Sequence, residues 1–237
     1  MTFLVILFFA LIHLYAEHIN KFGFGFCSKL LSTGSGISIA YVFMDILPKL
    51  SSSDVLIKQV LWSFFPYLEK HVYIMALLGF LLFFVVDRLQ QSLVTKRSEH
   101  QSPYFILSLG SYSLFNFLVG YAVVDKDNPE VQPLLLFTIA IGLHYFMNDY
   151  SLTRAHGDIY RHYGRWVLVL SLFLGWAAGF FIDLSASAVA LLSAFIGGGV
   201  IMNVIRHELP EEGPNNLRAF LLATAGYTII LLAIGRN

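Results

Sequence analysis

The chain has 237 residues, of which 57% are apolar and only 13% are charged, and its mean hydropathy is +0.70. A soluble globular domain carries about 25% charged residues, so this composition excludes a soluble protein whose whole surface faces water. The 22 Phe and 12 Tyr exclude a disordered chain, and a single cysteine excludes a disulfide framework and a thiolate metal cluster. Basic and acidic residues balance at 15 each, which gives no electrostatic argument for nucleic acid as a partner. The sequence therefore predicts an all-α integral membrane protein whose partner is the lipid bilayer.

Apolar segments of spanning length follow one another along the whole chain, which we interpret as a single polytopic domain, 1–237. A membrane-spanning helix needs about 20 residues. Eight segments meet this length, near 2–18, 30–50, 71–92, 104–124, 131–150, 164–182, 186–206 and 217–235. Short polar connections separate them, among them His156 to Arg161, and the shorter apolar stretch Val55 to Leu68 is predicted to lie along the membrane surface.

The distribution of Lys and Arg predicts the orientation. With eight spans, five of these residues fall on the side that holds both termini, and ten fall on the other side. Basic residues concentrate on the cytoplasmic side of membrane proteins. We therefore expect both termini to lie outside the cytoplasm.

Two spans end in similar sequences. Span 2 runs from Gly36 through aliphatic residues to Leu-Pro48, and span 7 runs from Gly198 to Leu-Pro210 in the same way. The two spans cross the membrane in opposite senses, as they would if spans 1–3 and 6–8 formed an inverted repeat around a central 4–5 pair. Inverted repeats are typical of transporters. The alternative is that Leu-Pro ends both helices by chance.

Polar side chains at membrane depth are candidates for function, because burying them in hydrocarbon is costly. Imidazole, amide and carboxylate groups together favour Zn²⁺ or a similar borderline cation. The candidate ligands on spans 4 and 5 are Asn116, His144, Asn148 and Asp149, and span 2 adds Met44 and Asp45. The alternative for each polar group is a structural hydrogen bond between helices.

Other polar groups are predicted to lie near the cytoplasmic surface. His13, Glu17 and His18 end span 1 and are interpreted as interfacial groups in contact with water, with an exit or sensor site as the alternative. His207, Glu208, Glu211 and Glu212 are interpreted as a cytoplasmic rim. A zincin protease site is not expected here, because the second His of that motif is missing and Pro210 breaks the helix.

Small residues mark two places where helices are expected to approach closely. These are Gly175 with Gly179, and the run Gly197 to Gly199.

No enzymatic signature accompanies these features. The sequence has no nucleophile–base pair, phosphate loop or dinucleotide fingerprint, and deep histidines for paired haem ligation are lacking. We expect no enzymatic activity and no resident cofactor.

The motifs of spans 4 and 5 resemble those of the ZIP (Zrt/Irt-like) family of metal-ion permeases. The family pattern His-Asn-x-x-Asp/Glu-Gly corresponds to Phe115–Gly120, and His-Glu-x-Pro-His-Glu corresponds to His144–Asp149. The resemblance implies eight spans, outside termini, and transport of a divalent metal ion such as zinc towards the cytoplasm as substrate. It also implies ligand roles for Asn116, His144, Asn148 and Asp149.

Three positions depart from the family pattern. Phe115, Val119 and Tyr145 stand where the family has two further ligand types and a bridging carboxylate. The alternative is therefore a ZIP-like scaffold or regulatory protein that has lost its metal site and does not transport. The sequence leaves open whether the assembly is a homodimer.

Overall fold

The computed structural model describes residues 1–16, 18, 24–53, 71–94, 102–124, 133–208 and 216–234. Within these ranges all regular structure is helical, which confirms the all-α class. The helices are α1 (Thr2–Tyr15), α2 (Phe24–Tyr41, continuing through a π-helical segment Val42–Ile46 to Ser53), α3 (His71–Val94), α4 (Ser102–Val124), α5 (Leu134–Ile159), α6 (Arg165–Ala178), α7 (Ala186–Asn203) and α8 (Leu217–Ile234). Further π-helical segments follow α5 at Tyr160–Gly164 and α7 at Val204–Glu208.

Five helical segments in the described part of the chain are long and apolar enough to cross a membrane: Ser28–Ser53, His71–Leu89, Phe105–Val124, Ser187–Arg206 and Leu217–Ile234. They indicate a multi-pass membrane protein. The prediction of eight spans is wrong by this measure.

The other three predicted spans are too short or too polar to be counted as membrane-spanning helices. Helices α1 and α6 have 14 residues each, which gives about 21 Å of rise against a hydrocarbon core of about 30 Å. Helix α5 is longer but carries the buried polar residues His144, Asn148 and Asp149.

The connection predicted from His156 to Arg161 is helical instead. Helix α5 continues to Ile159, with a kink at Gly157, where φ is 53°. Only glycine adopts this backbone region without strain. The chain then passes through the π-helical segment Tyr160–Gly164 directly into α6. The predicted surface helix Val55 to Leu68 lies outside the described residues.

The helices pack in pairs, α2 against α8, α3 against α7 and α4 against α6, while α1 lies against α5 and α6. Ile6, Phe9 and Leu172 are completely shielded in the core. The outer faces are apolar, and Leu222 and Ile229 on α8 are 74% and 66% exposed. Such faces suit a lipid environment, in which helices associate through close packing and hydrogen bonds.

Glycines allow the closest helix contacts. A Cβ atom on Gly175 would overlap the backbone of Phe117 in α4, and one on Gly198 would overlap the backbone of Ala76 in α3. The predicted close approach at both glycine motifs is therefore confirmed.

The endings of α2 and α7 share a backbone irregularity. Each π-helical segment begins six residues before a proline of the sequence, Val42 before Pro48 and Val204 before Pro210. Proline cannot donate to the carbonyl four residues earlier, and its ring clashes with it. In α2, which is described through Pro48, the backbone amide of Leu47 accordingly bonds to Val42, five residues back.

Candidate functional site

A cluster of buried polar side chains lies where α1, α4 and α5 meet. Nδ1 of His13 is 2.8 Å from Oδ2 of Asp149, and its Nε2 is 2.8 Å from Oδ1 of Asn116. These residues are 3%, 1% and 1% exposed, respectively. Each ring nitrogen of His13 therefore has a partner on a different helix.

The hydrogen bonds define where the protons of this cluster lie. Nδ2 of Asn116 donates to the backbone carbonyl of Tyr112 at 2.8 Å, which turns Oδ1 towards His13. Because Oδ1 can only accept, Nε2 of His13 carries a hydrogen. The other imidazole nitrogen shares one proton with Asp149, either as imidazolium and carboxylate or as a neutral pair. The pair has no net charge in both cases, which makes its burial tolerable.

The kink at Gly157 places a second donor on the carboxylate. Tyr160, in the π-helical segment that follows, donates its hydroxyl hydrogen to Oδ1 of Asp149. Both carboxylate oxygens are therefore engaged. Beside them, Arg161 and Arg165 line a narrow recess together with the His13–Asp149 pair, and this recess has no room for a water molecule. The recess lies at the end that the sequence predicts to be cytoplasmic.

The polar network continues to α7. Nδ2 of Asn203 donates to Oδ1 of Asn148, and the hydroxyl of Tyr112 reaches Oδ1 of Asn203 at 3.5 Å. Since the carbonyl of Tyr112 also binds Asn116, hydrogen bonds link α1, α4, α5 and α7. This polar network fixes the relative rotation of four helices.

The structure distributes the six predicted metal ligands over several places. Asn116 and Asp149 both contact His13, and Asn148 contacts Asn203. The ring of His144 packs against Phe115 with 5.4 Å between centroids. Met44 and Asp45 lie on the π-helical segment of α2, where Asp45 forms an ion pair with Lys49 at 2.7 Å. Across the described residues, no three His, Cys, Asp or Glu side chains gather in a metal-binding group.

Hydrophobic side chains fill the positions at which the chain departs from the ZIP pattern. Phe115 and Tyr145 are each 1% exposed and Val119 is 0% exposed. The ring of Tyr145 lies 5.1 Å from that of Phe9 and 4.7 Å from that of His13. Aromatic and aliphatic packing therefore occupies the space around the polar cluster.

His13 is the functional candidate that sequence reasoning missed. It was predicted to contact water at the membrane surface, and this prediction is wrong because His13 is buried. The buried residues of α1 are Val5, Ile6, Phe9, Ala10 and His13. They follow helical periodicity, so His13 continues the inward stripe of the helix. The sequence alone carried no such signal, because the outward face of α1 is apolar as well, with Leu4, Phe8 and Leu11 exposed.

Comparison with protein-family models, with characterised proteins and with solved structures finds no match to this chain.

Proposed function

We propose that this protein is a ZIP-like membrane carrier that moves a divalent metal ion such as zinc towards the cytoplasm, with two inverted halves rocking about the buried polar network. The observation that carries the proposal is the matched irregularity of α2 and α7. In both helices a close-contact glycine lies twelve residues before the proline, Gly36 and Gly198, and a π-helical segment begins six residues before it. Inverted repeats place cargo at their interface near mid-membrane.

The helix pairing supports the repeat. Exchanging helices α1–α3 with helices α6–α8 would convert the α2–α8 pair into the α7–α3 pair, and both pairs are present. If α4 and α5 exchange as well, the α1–α5 contact becomes the α6–α4 contact, which is also present. The glycine contacts support the same exchange. Gly36 packs closely against the backbone of Phe220 in α8, and Gly198 packs closely against the backbone of Ala76 in α3. These pairs agree with a two-fold relation, whereas the contact of α3 with α4 has no equivalent of similar extent between α8 and α5 among the described residues.

The polar cluster supplies two donors for a cation. Nδ1 of His13 and the carboxylate of Asp149 suit a borderline metal ion, while Asn116 accepts from the opposite ring nitrogen and orients the imidazole. Zinc bonds of about 2.0–2.2 Å in tetrahedral geometry would place the nitrogen and oxygen atoms roughly 3.4 Å apart. The observed 2.8 Å between His13 and Asp149 is a hydrogen-bond distance. Metal binding would therefore displace the shared proton and separate the two side chains by about half an ångström.

Uptake of radioactive zinc into proteoliposomes tests this proposal. We expect saturable uptake by the native chain and a loss of about tenfold or more in Asp149→Asn and in His13→Ala, because each removes a charged or imidazole ligand. The matched control is Asp87→Asn. It neutralises another buried carboxylate, which pairs with Arg206 instead of His13. Absence of uptake by folded native protein, or equal loss in the control, would contradict the proposal.

A non-transporting scaffold or regulatory protein is the second candidate. It is favoured by the complete burial of Phe115, Val119 and Tyr145, which fill the space that lost ligands would occupy. A scaffold predicts that Asp149→Asn lowers stability while calorimetry detects no zinc binding in either protein. In a carrier, Phe115→His combined with Val119→Asp should strengthen zinc binding by restoring ligands, whereas in a scaffold this double variant should change nothing.

A further inference from the structure

Basic side chains gather where α5 passes into α6. The stretch 154–165, which we call the basic turn, contains three arginines and two histidines but only one acidic residue, Asp158. Its net charge is +2 when both histidines are neutral. Arg154, Arg161 and His162 are exposed, so this charge lies at the surface of the bundle.

Arg161 can bind an external anion without giving up its partner within the chain. Its Nη1 lies 3.4 Å from Oδ1 of Asp158, and both side chains are exposed, so this pair contributes little to stability. A guanidinium has five N–H donors, which allows Arg161 to hold a further acceptor while it keeps its present contacts. Beside it, Nδ1 of His162 donates to the backbone carbonyl of Asp158 at 2.9 Å, which holds the imidazole ring in place.

An exposed apolar row continues from the basic turn along α6. It consists of Trp166, Leu170 and Leu174, which are 54%, 58% and 53% exposed and lie on one helical face at a spacing of four residues. From Trp166 to Leu174 the helix rises about 12 Å, close to half of a hydrocarbon core of about 30 Å. Exposed Tyr163 and Trp166 are the residue types found at headgroup depth. The guanidinium of Arg165 lies 6.0 Å from the ring centroid of Trp166, where the charge meets the row.

The charge and the apolar row together select one class of membrane component. The net positive charge repels the ammonium group of a zwitterionic lipid such as phosphatidylcholine, whereas a guanidinium binds phosphate through two parallel hydrogen bonds. A soluble phosphate would use the basic turn but would make no contact with the apolar row. The basic turn also lies at the end that the sequence predicts to be cytoplasmic, and anionic lipids are enriched in the cytoplasmic leaflet.

We propose that this surface binds an anionic phospholipid. Its phosphate lies at Arg161 and His162, and one acyl chain lies along the apolar row of α6. A lipid bound in this way contacts both the end of α5 and α6, and it stabilises the folded bundle because it binds only when the two helices are assembled. Lipid binding at this surface does not depend on whether the protein carries zinc.

Fluorescence quenching by brominated lipids tests the proposal on the full-length protein in vesicles. Replacing Trp62 and Trp176 by phenylalanine leaves Trp166 as the sole tryptophan. The vesicles contain phosphatidylcholine with a minor fraction of phosphatidylglycerol, and the bromine is carried by one lipid or the other. We expect the site at Trp166 to prefer phosphatidylglycerol by about tenfold, because each arginine near the surface strengthens the attraction to anionic lipid about fivefold.

Charge variants show whether the basic turn causes this preference. Arg161→Gln should lower it about fivefold, and Arg161→Lys, which keeps the charge, should retain most of it. The matched control is Arg88→Gln, which removes an exposed arginine at the same predicted end of α3 and should change nothing at Trp166. A second reporter, Phe84→Trp combined with Trp166→Phe, lies beside Arg88 on a helix with one arginine and one aspartate, and it should show little preference.

Three results would overturn the proposal. Equal preference at the two reporters would show that any arginine at this end suffices, and an undiminished preference in Arg161→Gln would remove the phosphate contact. Displacement of phosphatidylglycerol by soluble glycerol phosphate, at matched ionic strength, would show a site for a soluble anion. Should Arg161→Gln fail to fold, the two reporters decide the question, because both keep Arg161. Zinc uptake is measured separately, so failure here would leave the carrier proposal standing.

Discussion

The His13–Asp149 pair allows a quantitative test of how the bundle is held together. Replacing one partner leaves the other buried without its counterpart, which costs about 3–5 kcal/mol in soluble proteins. In membranes, single hydrogen bonds between helices contribute only about 0.6 kcal/mol on average, because the unfolded state also finds polar partners. The side chains of His13 and Asp149 are each 1% exposed, and their contact joins α1 to α5. We therefore expect an intermediate cost, about 2–4 kcal/mol, for either His13→Leu or Asp149→Leu.

The double variant separates the interaction energy of the His13–Asp149 pair from the energies of their contacts with other residues. With both residues replaced by leucine, neither His13 nor Asp149 is left without its counterpart, although Asn116 and Tyr160 each lose one partner. We expect the double variant to be more stable than the sum of the single effects predicts, by about 1.5 kcal/mol or more. Reversible unfolding in mixed micelles with increasing dodecyl sulfate measures all four proteins. Additive single effects would refute the conclusion that the two side chains form one interacting pair.

Two further predictions concern packing and orientation. Gly198→Ala should destabilise the bundle by about 1–3 kcal/mol because its Cβ meets the backbone of α3, whereas Gly226→Ala, which points into open space, should be neutral or stabilising in the same unfolding assay. If the loop at Asp127 lies outside, then an impermeant thiol reagent should label Asp127→Cys but not Glu99→Cys in intact cells, in a background lacking Cys27. The reverse labelling would show that the orientation inferred from basic residues is wrong.

The sequence by itself determined the class of the protein. Its apolar composition can only be accommodated by lipid, and a backbone inside lipid must satisfy its own hydrogen bonds, so helices follow. The glycine motifs were also recognisable, because a missing side chain permits close approach wherever the helix lies. Gly175 and Gly198 accordingly contact neighbouring backbones. These properties depend on residues close together in the chain.

Only the tertiary structure decided which polar groups meet. His13 lies 136 residues from Asp149, and their contact depends on the rotation of α1 against α5, which local sequence does not specify. In the same way, Asp45 was grouped with Asp149 as a metal ligand, but Asp45 pairs with Lys49 on its own helix, α2. Helix length excludes two of the eight predicted spans, α1 and α6. These lengths also depend on context, since hydropathy measures how apolar a segment is and does not fix where its helix ends. A side chain's partner in a bundle is set by packing between distant helices, and that information appears only once they are assembled.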